Sequence, residues 1–139
     1  MSARSFVYGT LCESEVANLV GGTDNPRIFA KKTMTSSIED HPYIVYKLGN
    51  ETPEMLNEEL EVTRQFFQVW VHDYHDSDIA DYERIDEVIE AIRKAFWIKG
   101  SKEEAVWITI WEETSQDFND ETLNTIFKYV RFRMLRRAQ

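Results

Sequence analysis

The sequence holds a single cysteine, Cys12, so no disulfide can form within the chain. That excludes the covalent staples of small secreted domains and suits a reducing compartment. Long apolar runs are missing too, and none approaches the roughly 20 residues that a transmembrane helix needs. Met1 to Phe6 lacks the apolar core of a signal peptide, so the sequon at Asn50-Glu51-Thr52 reads as chance. Basic residues are the minority, 16 against 25 acidic ones. The formal net charge of −9 argues against a general nucleic-acid binder, whose affinity comes from neutralising phosphates. No internal repeat or low-complexity linker interrupts the chain. Gly21-Gly22 has neither a strand before it nor a lysine after it, so it is no phosphate-binding loop.

What is present suits one soluble domain, residues 1–139, long enough to bury a sizeable core. Aromatic residues reach 13%, an excess that leaves some for a partner surface. Charge is unevenly spread. From Thr122 to Gln139 there are five basic residues, Lys128, Arg131, Arg133, Arg136 and Arg137, and no acidic one, which leaves −14 on the remainder. The chain has an acidic body and a basic end.

Apolar spacing predicts a short N-terminal helix from Leu11 to Val20, closed by Gly21-Gly22. Pro26 to Ile38 reads as mostly irregular, with Ile28 and Phe29 as anchors. Pro42 opens a β-branched and aromatic strand, Tyr43 to Leu48, and Gly49-Asn50 reads as the turn that ends it, before a loop from Glu51 to Asn57. Leu60 to Tyr74 predicts a long strand with Phe66, Gln68, Trp70, His72 and Tyr74 on one face and Phe67, Val69 and Val71 on the other. Apolar groups on both sides imply two covers, a helix and another protein surface. Ile79, Tyr82, Ile85, Val88, Ile89, Ile92 and Phe96 form one stripe and predict a long helix from Ile79 to Trp97, with Ser77 or Asp78 as its cap and Gly100 beyond its end. Ala105 to Trp111 reads as a strand with Val106, Ile108 and Ile110 on one face and Trp107, Thr109 and Trp111 on the other. Thr114 to Asn119 reads as a loop. Thr122 to Leu135 reads as the last strand, its even positions facing the core. The fold class is therefore α+β: an antiparallel or mixed sheet packed against one long helix, with a short N-terminal helix.

Chemistry-bearing residues are sparse. His72-Asp73-Tyr74-His75-Asp76 has the residue types of a metal or acid–base site. On a strand, however, His72 and Tyr74 share a face while His75 does not, so the ligands diverge. A polar strand end is the expected role. A small metal-dependent hydrolase using His72, His75 and Asp76 is the alternative from another functional class. Cys12 suits a small buried residue better than a nucleophile. Glu58-Glu59-Glu61 and Glu103-Glu104 read as solvated edges. No catalytic residue, metal ligand or cofactor is assigned. The candidates for protein contact are Trp107 and Trp111, together with Arg131, Arg133, Arg136 and Arg137. Acidic groups of a neighbouring subunit or DNA phosphates can take up the charge of that basic end.

Taken in order, several segments resemble the tail terminator, or tail completion, proteins of long-tailed bacteriophages. These are Leu11 to Gly22, Arg27-Ile28-Phe29, Pro42-Tyr43-Ile44-Val45-Tyr46, the strand Gln65 to Val71, the helix Ile79 to Trp97 and the final strand Thr125 to Leu135. The resemblance covers nearly the whole chain. It implies a structural virion protein that forms a six-fold ring on a finished tail tube, stops polymerisation and provides the head-joining surface. It further implies homo-oligomerisation, the tail tube protein and a head–neck connector protein as partners, and a ring through which DNA passes. Its place would be the head-proximal end of the tail, after assembly in the host cytoplasm, with no cofactor, enzymatic activity or membrane. A head-completion or neck connector protein of the same joint would show the same patterning. A ring is a closed heterologous assembly, and an acidic body with a basic strand supplies two unlike faces.

Overall fold

The strongest two-residue alternation in the sequence lies in two segments, and these form the centre of the sheet. The computed structural model describes residues 2–30, 42–56, 61–74, 82–121 and 125–137. Two helices, α1 (Ala3–Leu11) and α2 (Ser14–Leu19), precede strands β1 (Ile28–Ala30), β2 (Tyr43–Leu56) and β3 (Glu61–Tyr74). Helix α3 (Glu83–Ala95) follows, then strands β4 (Val106–Thr114), β5 (Phe118–Asp120) and β6 (Thr125–Arg137). The strands form one mixed sheet in the order β1-β2-β3-β6-β4, with β5 also on β6. Only the β1–β2 pair is parallel among the described strands.

The ladder fixes the two faces. Phe67 pairs with Phe132 and Val69 with Val130, and all four are buried on the side covered by the described helices. Ile44 and Tyr46 of β2 join them, opposite Val71 and Val69. From the helices come Phe6, Val7 and Leu11 of α1, Val16 of α2, and Ile85, Val88, Ile89 and Ile92 of α3. Phe96 lies 5.0 Å from both Phe67 and Phe132, ring centre to ring centre, and welds helix to sheet. Ser2 caps α1 by accepting from the Ser5 amide at 3.1 Å. In α3, Glu83 and Asp86 sit in the first turn and Arg93 and Lys94 in the last, each sign at the favourable end of the helix dipole.

Five expectations are corrected. The helix cover is not one long element: α3 has 13 residues, with Tyr82 at its N-cap and Phe96 at its C-cap. Trp97, the expected last helical residue, and Ile98 lie in the turn beyond. Ile98 adopts φ 50°, outside the right-handed helical region, so the helix has ended before it. The expected caps Ser77 and Asp78, and Ile79, lie outside the described residues. At the N-terminus two helices stand where one was expected, and α1 begins well before Leu11. Next, Gly49-Asn50 is no terminating turn. The strand runs through it with a register shift between Leu48 and Glu51, and a Cβ on Gly49 would meet the Phe66 carbonyl oxygen at 3.1 Å. Pro53 is tolerated further along because β1 pairs only with Ile44 to Tyr46.

The fourth correction concerns β4. One extra residue, Trp107, stands between Val106, opposite Arg136, and Ile108, opposite Leu135. That shift turns Val106, Thr109 and Trp111 to the helix side and Ile108 and Ile110 to the other. Strand β5 also replaces part of the expected loop.

Ile89 faces the core from mid-α3, whereas Glu90 is exposed. Ile89→Asp is expected to cost roughly 3–5 kcal/mol by burying an unpaired carboxylate. Glu90→Lys should leave the thermal midpoint nearly unchanged, and matched melting curves check the pair.

Candidate protein interface

The sheet face away from the helices carries an aromatic ribbon. Tyr43 stacks on His72 at 4.9 Å, His72 on Phe127 at 5.0 Å, and Phe127 on Phe118 at 5.1 Å. Phe29 and Tyr129 extend it at the two ends. The period of two places these rings on one side because β3 and β6 hold register. His72 is thereby buried between two rings, with its Nδ1 2.9 Å from the Thr125 hydroxyl. His75 and Asp76 lie outside the described residues. Asp73 is on the opposite face, paired with Arg84 at 3.2 Å. Among the described residues no group of three or more potential metal ligands converges.

Further along the same face is a groove of about 350 Å³, lined by Lys47, Leu48, Gly49, Phe66, Gln68, Trp70 and Arg131. The Arg131 guanidinium lies over the Phe66 ring, 4.4 Å from its centre. The basic strand is not one uniform patch. Arg133 is on the open face but 3.1 Å from Glu112. Arg136 points to the helix side, 3.2 Å from Glu51 on β2, and donates to the Glu104 carbonyl. Lys128, also on the helix side, pairs with Asp86 at 2.8 Å. Arg137 is exposed at the strand end. Of the basic candidates, Arg131 and Arg137 are therefore the two turned outward without an ion pair among the described residues.

A second surface lies at the β4 edge. Trp97, Ile98, Trp107 and Trp111 are 65%, 60%, 50% and 41% exposed. Trp97 and Ile98 line a cleft of about 210 Å³ with Phe96, Ile108, Trp111 and Phe132. Arg93 of α3 stacks over Trp111 at 4.1 Å. The turn bearing Trp97 and Ile98 is braced: the Thr109 hydroxyl donates to the Lys99 carbonyl at 2.9 Å, and Lys99 pairs with Glu13. A Cβ on Gly100 would come within 2.4 Å of the Trp107 carbonyl oxygen, so only glycine lets the turn press against β4. Large apolar side chains held rigidly at a surface are the usual anchors of a protein contact. Trp107 and Trp111 were legible as candidates. Trp97 and Ile98 were not, because the expected helix ran to Trp97 and no local pattern marks the turn that exposes them.

No protein-family model matches the chain, and no curated protein matches its sequence. Its fold is similar to a solved chain described as "Virion of native gene transfer agent (GTA) particle", with a TM-score of 0.71 and 15% identity, over 99% of this chain and 96% of that one. That likeness is one of fold.

Two outcomes follow from this geometry. Arg136→Glu sets two carboxylates against each other and should cost about 1–3 kcal/mol, whereas Arg131→Glu should lose only the ring contact, roughly 0.5–1 kcal/mol. Urea titrations of both variants check the difference. Burial, with the Asp120 charge adding to it, pushes the Tyr43 phenol from 10.0 up to about 12. The folded state holds that proton more tightly, so its contribution is whole below pH 10 and is lost as pH rises from 10 to about 12. Tyr43→Phe should therefore lose less stability than the parent over that interval in urea melts at fixed pH.

Proposed function

We propose that this protein is a non-enzymatic structural component of a phage-like virion, a tail terminator that forms a six-fold ring on the end of the tail tube. In this role it stops tube polymerisation and presents the surface on which the head joins. The observation that carries the reading is the correspondence of fold, nearly end to end in both chains, with a chain of a gene transfer agent virion. The tail-capping part draws on the sequence resemblance to tail terminators.

The surface supports the same reading. A capping protein needs a rigid body and complementary faces, and no reactive group. The braced turn with Trp97 and Ile98, the edge strand with Trp107 and Trp111, and the open sheet face offer three surfaces for protein contact. The 139 residues would act as one domain, meeting the tail tube protein on one side and the head–neck connector on the other. DNA would pass through the ring at the head-proximal end of the tail.

The test is electron microscopy of purified protein mixed with tail tubes that still elongate. Six-fold rings at tube ends and arrested growth are expected. Rings on isolated head connectors with none on tubes would reassign the protein to the neck. Binding to neither would overturn the virion reading. Trp97→Ala, at an exposed site, should leave the melting temperature within about 2 °C of the parent and weaken capping at least about tenfold.

A further inference from the structure

Helix α3 turns a charged side outward. Ile85, Val88, Ile89 and Ile92 face the sheet, while Glu83, Glu87 and Glu90 are exposed, with Lys94 beyond them. Trp97 follows Glu90 by seven residues, and the two line one surface cavity together with Arg93 and Lys94. This side is acidic over its first two turns and ends in the most exposed tryptophan among the described residues. The open sheet face carries the opposite character. Its groove holds Lys47 and Arg131 beside Phe66 and Trp70, and neither cation is ion-paired among the described residues. The Arg131 guanidinium carbon lies 4.4 Å from the centre of the Phe66 ring, and its N–H donors are in no ion pair among the described residues.

We propose that this groove seats α3 of a second copy of the chain, with Glu87 and Glu90 against Lys47 and Arg131, and Trp97 against Phe66 and Trp70. The proposal rests on the ring reading above and names the contact by which one protomer meets the next. Three observations lead to it. The charges are complementary at the Glu87 and Glu90 end, with Arg93 and Lys94 lying toward Trp97. Aromatic and arginine side chains, the types that dominate interface energetics, occur on both halves or between them. The two halves lie on opposite layers of the protomer, so they cannot meet within one chain and must meet head to tail between copies. A second copy is favoured over a foreign acidic partner because the matching acidic side is already part of this chain.

Charge exchange tests it. Lys47→Glu/Arg131→Glu reverses the groove, and Glu87→Lys/Glu90→Lys reverses the helix. Self-association is followed by sedimentation velocity from low to molar salt. Where the parent is monomeric in solution, ring formation on tail tubes is scored instead. Each double variant alone should associate at least about tenfold more weakly than the parent, a loss of roughly 1.4 kcal/mol. An equimolar mixture should regain association, because each reversed face then meets a reversed partner, and six positions admit an alternating ring. The parent contact should weaken at molar salt, where the screening length falls to about 3 Å. Lys47→Glu alone, at an exposed position, repeats the test in case Arg131→Glu lowers the melting temperature. Variants that associate as the parent does would overturn this contact and leave the ring reading standing. So would two defective variants whose mixture shows no recovery, since the groove would then hold carboxylates of the tube or connector. A parent protein that neither associates nor caps tubes would overturn both.

Discussion

Thirteen consecutive residue pairs join β3 to β6 without a bulge, from Val62–Arg137 to Tyr74–Thr125, and the placement of nearly every other side chain is set by that ladder. Because side chains alternate with a period of two, the ladder sorts Phe67, Val69, Val130 and Phe132 to the helices. It sends Phe66, Trp70, Tyr129 and Arg131 to the open side. A slip of one residue would exchange the two sets and bury guanidinium groups under α3. Apolar burial on one face therefore fixes, at the same time, which aromatic and cationic groups the other face presents.

The flanking strands are less regular. Both β2 and β4 carry two register shifts, while the central pair carries none. Bulges bend a strand and re-aim its side chains. The shift at Trp107 lets Trp111 reach Arg93 on the helix side and leaves Ile108 and Ile110 on the other. It adjoins the strained turn, where Ile98 and Ala105 both take positive φ. Such conformations persist only where surrounding contacts over-determine them, as the Thr109–Lys99 bond and the close packing at Gly100 do here. The rigid core and the two irregular borders thus have separate tasks, one of shape and one of contact.

Much of the central sheet was legible in sequence. The alternation of residues 65–71 and 126–134 reports which side each residue buries, because pleat and burial share one period. The helix end was not legible: the expected helix ran on to Trp97, and only the backbone turn shows that the helix stops at Ala95 and leaves Trp97 and Ile98 exposed. Bulges leave no mark in an apolar pattern, so Val106 was grouped with Ile108 and Ile110, although it shares the face of Thr109 and Trp111. Of the contact candidates, Trp107, Trp111, Arg131 and Arg137 are at the surface, whereas Arg133 and Arg136 are spent on Glu112 and Glu51. The Glu51 partner lies 85 residues away in the chain, and no local pattern could have named it. The groove around Lys47 and Arg131 was missed for the same reason, since three strands from distant parts of the sequence build it.

The position of β6 also sets an order of events during synthesis. Among the described strands, β4 finds its one full-length neighbour in β6, and β3 presents its second edge to the same strand. Until β6 has been made, the sheet lacks one strand of its central pair, and the edges of β3 and β4 that face it stay open. Non-local pairing of this kind closes late and leaves a nascent chain exposed to edge-to-edge association. The basic side chains spaced along β6 oppose edge-to-edge pairing of that strand before it slots between β3 and β4, and the sheet and its two faces come into being in the same step.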